Sequence, residues 1–159
     1  MNDITGKTVM DSFTEQVHII MPAETNGSGR LFGGQLMEWI DVVAGVAARR
    51  HCGRNVTTAA VDNLQFKEAA FNNDTMVLQG RMTYVGNTSM EVRVDSFVED
   101  LDGGRKLVNR AYLVLVALDG EGKPAHVPRL LPQNDEERAE LAAGERRKAL
   151  RKQRINEQY

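Results

Sequence analysis

The sequence predicts an α+β domain in which one long helix is wrapped by an antiparallel sheet, with a charged helical tail behind it. Three observations lead there. Leu36, Met37, Ile40, Val43, Ala44, Ala47 and Ala48 recur at helical spacing, the clearest periodicity in the chain. Strand-like segments separated by turn residues follow that helix. After Pro132 the composition turns almost wholly to charged residues and alanine.

Taken in order, residues 12–20 (Ser-Phe-Thr-Glu-Gln-Val-His-Ile-Ile) read as a first strand, stopped by Pro22 and the glycines beyond it. The helix that follows has an apolar stripe wide enough for a largely buried element. Arg49, Arg50 and His51 suit its C-terminal dipole, and Gly53 can terminate it. Residues 56–66, rich in Val, Thr and Ala, form the next strand. In residues 76–85, Met76, Leu78, Met82 and Tyr84 alternate with Val77, Gln79, Arg81 and Thr83. Residues 88–98 place Met90, Val92, Val94 and Val98 opposite Ser89, Glu91, Arg93 and Asp95. Residues 106–118 are nearly continuously apolar around Tyr112-Leu113-Val114-Leu115-Val116, as a central strand requires. Gly86-Asn87 and Asp102-Gly103-Gly104 supply hairpin turns, because such residues accept positive φ. The order is therefore strand, helix, then four strands in a meander. One helix covers only one face of a sheet, so the other face, or a sheet edge, is expected to meet a second subunit.

The expected division is an N-terminal segment (1–11), the domain (12–132) and the tail (133–159). In the tail, Asn134 with Glu137 resembles a capping box, with acids early and bases late as the helix dipole prefers. Arg146, Arg147, Lys148, Arg151, Lys152 and Arg154 form a basic patch, read as the face of a solvated helix. Contact with a phosphate-bearing ligand or a nucleic acid is the alternative.

Bulk properties narrow the classes. Hydrophobic residues make up 42%, enough for a core, and the formal charge of −2 gives no global attraction to nucleic acid or anionic membrane. A lone cysteine, Cys52, excludes an internal disulfide and a cysteine-rich zinc site. No signal-like N-terminal run and no apolar stretch of about 18 residues is present, so a cytoplasmic protein is expected.

Chemistry concentrates in Glu24-Thr25-Asn26-Gly27-Ser28-Gly29-Arg30-Leu31-Phe32-Gly33-Gly34 and the helix it enters, which carries Asp41. A glycine-rich loop leaves backbone N–H groups uncovered where a helix begins, and such donors can hold an oxyanion. On a helical wheel Asp41 lies at the flank of the apolar stripe, with Gly34 and Gly45 on the same side leaving room beside the carboxylate. A half-desolvated carboxylate at that border is a usable general base. From spacing alone, a solvent-facing aspartate on an ordinary helix fits equally. Asn26 either caps its own loop or orients a water or a carbonyl.

Other chemistries fit poorly. Ser28 lies in no nucleophile elbow, and His18, His51 and His126 are scattered without metal-ligand spacing. Gly6-Lys7-Thr8 lacks the upstream glycine and strand of a phosphate loop. Cys52 reads as a packed thiol and Asp62 as a strand-end structural residue.

The run from Pro22 to Asp41 strongly resembles the hot-dog-fold acyl-CoA thioesterases of the broad-specificity bacterial and brain acyl-CoA hydrolase group. Val61-Asp62-Asn63-Leu64-Gln65-Phe66 resembles that family's second-strand signature, and Gly86-Asn87-Thr88-Ser89-Met90-Glu91-Val92 its hairpin segment. The resemblance covers residues 12–132. It implies a hot-dog fold, a long helix wrapped by five or six antiparallel strands. It also implies hydrolysis of an acyl-CoA thioester to CoA and a carboxylic acid. Asp41 would be general base or nucleophile, Gly33 and Gly34 amides would polarise the carbonyl, and Asn26 would assist across a subunit interface. Asn87, Thr88 and Ser89 match the pantetheine and nucleotide path, and Thr57 and Thr58 are expected to approach Asp41 from the partner chain. Arg93 and Arg129 are candidate phosphate contacts by charge. No metal or redox cofactor is implied; coenzyme A belongs to the substrate. The smallest active unit would be a dimer, commonly built into a trimer of dimers. Two other readings share the architecture. One is a non-catalytic acyl-CoA-binding regulator. The other is a dehydratase, which would need a histidine that Asp41 lacks nearby in sequence.

Overall fold

The computed structural model describes residues 5–62 and 64–158; Asn63, within the second-strand signature, lies outside them. The elements are β1 (Lys7–Thr8), α1 (Val9–Ser12), β2 (Thr14–Ile19), a 3-10 turn at Pro22–Glu24, α2 (Gly33–Cys52), β3 (Asn55–Asp62), β4 (Thr75–Val85), β5 (Ser89–Glu99), β6 (Arg105–Leu118), β7 (Leu130–Leu131) and α3 (Asp135–Asn156). Five strands form one antiparallel sheet in the order β2-β4-β5-β6-β3. This is the hot-dog arrangement, with α2 against one face of the sheet. β1 and β7 add a short parallel pair.

The meander is shorter than expected. β4, β5 and β6 follow one another, but β3 crosses to the far edge and pairs with β6. It also ends at Asp62, earlier than the expected 66.

α2 buries Leu36, Trp39, Ile40, Val43, Ala44, Ala47 and Ala48; Trp39 joins the predicted stripe, and Met37, which is exposed, drops out of it. Against it stand Met76, Leu78 and Met82 of β4, Met90, Val92 and Val94 of β5, and Leu113 and Leu115 of β6. Each such side chain contributes roughly 1.5–3 kcal/mol on full burial. Gly80 sets the approach of helix to sheet, since a β-carbon there would come 2.7 Å from Val43 Cγ1. His18 stacks on Trp39 with ring centroids 4.2 Å apart, so it serves the core.

The tail is not the solvated helix expected. Asn134 caps α3 by accepting the Glu137 N–H at 2.8 Å, and the helix lies on the sheet face turned away from α2. There Glu91, only 1% exposed, accepts Arg147 Nη2 at 2.8 Å, Arg151 Nη1 at 3.0 Å and Thr83 Oγ1 at 2.7 Å. Glu140 accepts Arg93 Nη1 at 2.8 Å, Arg147 Nη2 at 2.7 Å and Tyr112 Oη at 3.1 Å. Asp62 accepts Arg151 Nη1 at 2.9 Å and Arg154 Nη2 at 3.3 Å, which gives it the structural role its strand-end position suggested. Burial works against the Arg147 cation, but Glu91 and Glu140 outweigh it and raise its pKa. Gly144 is buried against the Tyr84 side chain. The expected contact of this face with a second subunit is thus met in part by the chain's own tail.

Candidate active site

α2 begins at Gly33 behind Phe32, and its first turn carries no acidic side chain to compete for the helix N-terminus. The first N–H groups of a helix have no intrahelical acceptor. Gln35 and Leu36 N–H turn back to the Phe32 carbonyl at 3.0 and 3.2 Å. Those of Gly33 and Gly34 have no acceptor among the described residues. Two bare amides therefore lie about two turns before Asp41.

Chain geometry brings a second group to Asp41. α2 stops at Gly53, whose φ of 66° is left-handed and whose N–H closes on Arg49 O at 2.7 Å. From Asp41 to Gly53 the helix rises about 18 Å. From Gly53 to Thr58 the returning strand covers about 17 Å. Strand and helix therefore draw level at that pair, and Thr58 Oγ1 donates to Asp41 Oδ1 at 2.7 Å. Thr58 was expected from a partner subunit; it reaches Asp41 within one chain, because β3 doubles back along α2. Thr57, its neighbour on the strand, is exposed.

Asp41 itself is exposed at the flank of the buried stripe, as its wheel position predicts. It lines a cleft of about 360 Å³ with Gly34, Met37, Thr58, Val61 and Leu113. Asn26 and Gly33 line a different, larger cleft of about 530 Å³ with Arg30, Phe66 and Lys67. The two clefts flank the start of α2, so one chain does not bring Asn26 and Asp41 into a single cavity.

The Asn26 side chain is half committed to its loop. Its Oδ1 accepts Ser28 N–H at 3.0 Å, Ser28 Oγ at 2.9 Å and Arg30 N–H at 3.2 Å. That usage consumes the carbonyl and leaves the amide NH2 as the outward group, a donor only.

The remaining predicted residues divide. Asn87 and Thr88 lie in the β4–β5 turn and Ser89 opens β5, in register with Val116 of β6, itself opposite Thr57 of β3. The start of β5 is therefore two strand spacings, about 10 Å, from β3. Arg93 is a correction: it is buried and paired with Asp95 at 3.2 Å and Glu140 at 2.8 Å, so its charge is spent inside the fold and not on a phosphate. Arg129 is exposed, its carbonyl accepting Lys7 N–H. Cys52 is half-buried, and burial pushes its thiol pKa up, away from a reactive thiolate.

The family of this chain follows from its relatives. Residues 28–104 match the model of the thioesterase superfamily. The chain is 42% identical over 119 residues to the uncharacterized acyl-CoA thioester hydrolase YkhA of Bacillus subtilis, covering 74% of this chain and 69% of that one. It belongs to the hot-dog acyl-CoA thioesterases. The thioesterase is also 34% identical to the cytosolic acyl coenzyme A thioester hydrolase of Rattus norvegicus, over 88% of its own length but only 38% of the rat protein. Its structure overlays that of the Staphylococcus aureus acyl-CoA hydrolase, solved with butyryl coenzyme A and coenzyme A, at a TM-score of 0.91 and 34% identity. That match covers 96% of this chain and 93% of the other. A hexameric acyl-CoA thioesterase overlays with a TM-score of 0.91 at 37% identity, covering 95% of this chain and 97% of that one. Single alanine variants of the S. aureus enzyme have been solved at an asparagine, at an aspartate 15 residues on, and at a threonine 17 beyond that. The same intervals separate Asn26, Asp41 and Thr58 in this thioesterase.

Proposed function

We propose that this thioesterase hydrolyses acyl-CoA at a composite site, with Asp41 as general base in one subunit and Asn26 supplied by another. The hydrogen bond from Thr58 to Asp41 at the mouth of the Gly34 cleft carries the reading. It fixes one carboxylate oxygen and leaves the other to face the cleft beside uncommitted helix amides.

In this mechanism the acyl carbonyl oxygen lies at the Gly33 and Gly34 N–H groups. Asp41 takes a proton from a water that attacks the carbonyl carbon, and the amides hold the oxyanion that forms. Collapse breaks the C–S bond, and Asp41 returns the proton to the departing sulfur. A carboxylic acid and free CoA result. The Asn26 NH2 donates to the attacking water's oxygen or to the carbonyl.

Three features support assembly from two copies. Asn26 and Asp41 of one chain line separate clefts. β3 is an edge strand, a ready template for pairing. Met37, Val42, Val61 and Phe66 are exposed large apolar side chains on or beside this edge. A two-fold dimer joined there would cover Asp41, withdraw it from water and form two sites, each from both chains. The hexameric relative agrees with dimers assembling further, as a trimer of dimers.

The test is complementation. Asn26→Ala and Asp41→Ala proteins are each expected to be nearly inactive in a thiol-release assay over acyl-CoAs. Co-expressed and randomly mixed, they should recover about a quarter of wild-type turnover, since half the dimers then hold one intact site. A mixture no more active than the average of its parents would refute the shared site.

A further inference from the structure

One guanidinium of the sheet is left without a counter-ion. β4 and β5 pair with Arg81 opposite Arg93, and cross-strand partners point to the same face. Like charges so placed repel unless each is neutralised. Arg93 is neutralised, by Asp95 at 3.2 Å and Glu140 at 2.8 Å. Arg81 has no carboxylate partner among the described residues. Its Nη2 donates to the neutral Gln79 Oε1 at a long 3.4 Å. Its Nε is buried and bonds to none of the described residues, so most of the donor fork is unused.

That fork opens on a cleft. α1, β4 and the start of α3 meet around a cavity of about 410 Å³, within the range of small-molecule sites. Arg81 shares the sheet face of Arg93, which α3 covers, and the cleft is separate from the one that Asp41 lines. Val9, Met10, Phe13 and Met82 give it an apolar wall, on which Met10 is 69% exposed. The Phe13 ring centroid lies 5.5 Å from the Arg81 guanidinium carbon and steadies the cation. Glu136, Glu137 and Glu140 form the polar rim. Glu140 is committed to Arg93, Arg147 and Tyr112, and Glu137 accepts the Gln133 N–H at 2.7 Å. One unpaired cation against an acidic rim selects a ligand of single negative charge, because a phosphate dianion would be repelled. The apolar wall selects a hydrocarbon tail.

We propose that Arg81 and its cleft bind a monocarboxylate with an aliphatic tail, the carboxylate on the guanidinium and the tail along Met10, Phe13 and Met82. The planar fork matches a carboxylate through parallel hydrogen bonds. This ligand is of the same chemical class as the acid that acyl-CoA hydrolysis releases. The site therefore gives such an acid a second place on the protein, across the sheet from the thioester. Its binding does not depend on the acyl-CoA reading.

The experiment titrates octanoate into the intact chain with its methionine methyls labelled with carbon-13. Met10 and Met82 report on this cleft, and Met37 on the one beside Asp41. Saturable shifts of the Met10 and Met82 signals are expected. Arg81→Gln should raise the Kd read at Met10 at least about tenfold, as for loss of a charge-assisted pair, and leave the Met37 response unchanged. Arg81→Lys should keep part of the affinity. On the wild-type protein, octanol, octyl phosphate and acetate should each bind at Met10 more weakly than octanoate, a comparison that holds even if the Arg81 variants fail to fold. Shifts confined to Met37 would overturn the proposal. So would octanol or octyl phosphate binding as tightly as octanoate, or an Arg81→Gln protein with wild-type affinity at Met10. No turnover is measured, so failure here is distinct from failure of the hydrolase reading.

Discussion

Two carboxylates in this protein are held in opposite ways. Asp41 sits exposed at the flank of α2 with a single side-chain donor, Thr58. Glu91 lies buried on the other face of the sheet with two arginines and a threonine upon it. A fully bonded buried acid holds an element in place, and its removal strands the charges around it. An acid with one fixed oxygen and one free oxygen is positioned but still available to take a proton. The number of committed lone pairs, more than residue type, separates the structural charge from the reactive one.

The sharpest way to break the contrast is Asp41→Asn. Turnover of acyl-CoA should fall about 1,000-fold, as expected for loss of a general base. Stability should stay within about 0.5 kcal/mol of wild type, because the site is exposed. A urea melt and a thiol-release assay on the same preparation check both halves, and unchanged kcat would remove Asp41 from the mechanism. Glu91→Gln should invert the pattern. Leaving Arg147 and Arg151 without their anion is expected to cost about 3 kcal/mol of stability. The kcat of the protein that remains folded should stay near wild type; a urea midpoint unmoved by the change would contradict the role given to the network.

The smallest effect concerns His51, buried near the C-terminal end of α2 and joined through Nε2 to Pro128 O at 2.8 Å. Burial pushes its pKa down, with the bond to Pro128 opposing. Because the folded value lies below the ordinary 6.5, the unfolded chain takes up the proton first. The contribution is therefore complete above that value and is lost as pH falls from there through the folded pKa. Melting temperatures measured from pH 8 to 5 should decline on the acid side, and His51→Gln should flatten that part of the profile. This decline would separate acid unfolding from any acid loss of Asp41 chemistry.

Much of this was legible in the sequence, and the rest failed for identifiable reasons. α2 and β4 to β6 came directly from periodicity and turn residues, because those patterns are local. The flank position of Asp41 was also visible on the wheel. The crossing of β3 to the β6 edge was not, since strand pairing depends on partners far away in the chain. Thr58 was named but assigned to the wrong subunit; comparing helix rise with strand rise about Gly53 would have placed it correctly. The cover over Glu91, Arg93 and Asp95 was not legible, because alternation marks the face away from α2 and says nothing about what covers it. Arg93 was offered as a phosphate contact by its charge alone, which does not reveal the partners that neutralise it.

Gly144 gives the tail a unique seat. A β-carbon there would lie 2.5 Å from Tyr84 Cβ, so no other residue of the helix fits this groove without a shift. Slipping α3 by one turn would bring Glu140 or Lys148 to the groove, and either would be too bulky to enter. The last helix is thus keyed like a shaft in its slot, and whatever it carries arrives at the same address on every copy of the molecule.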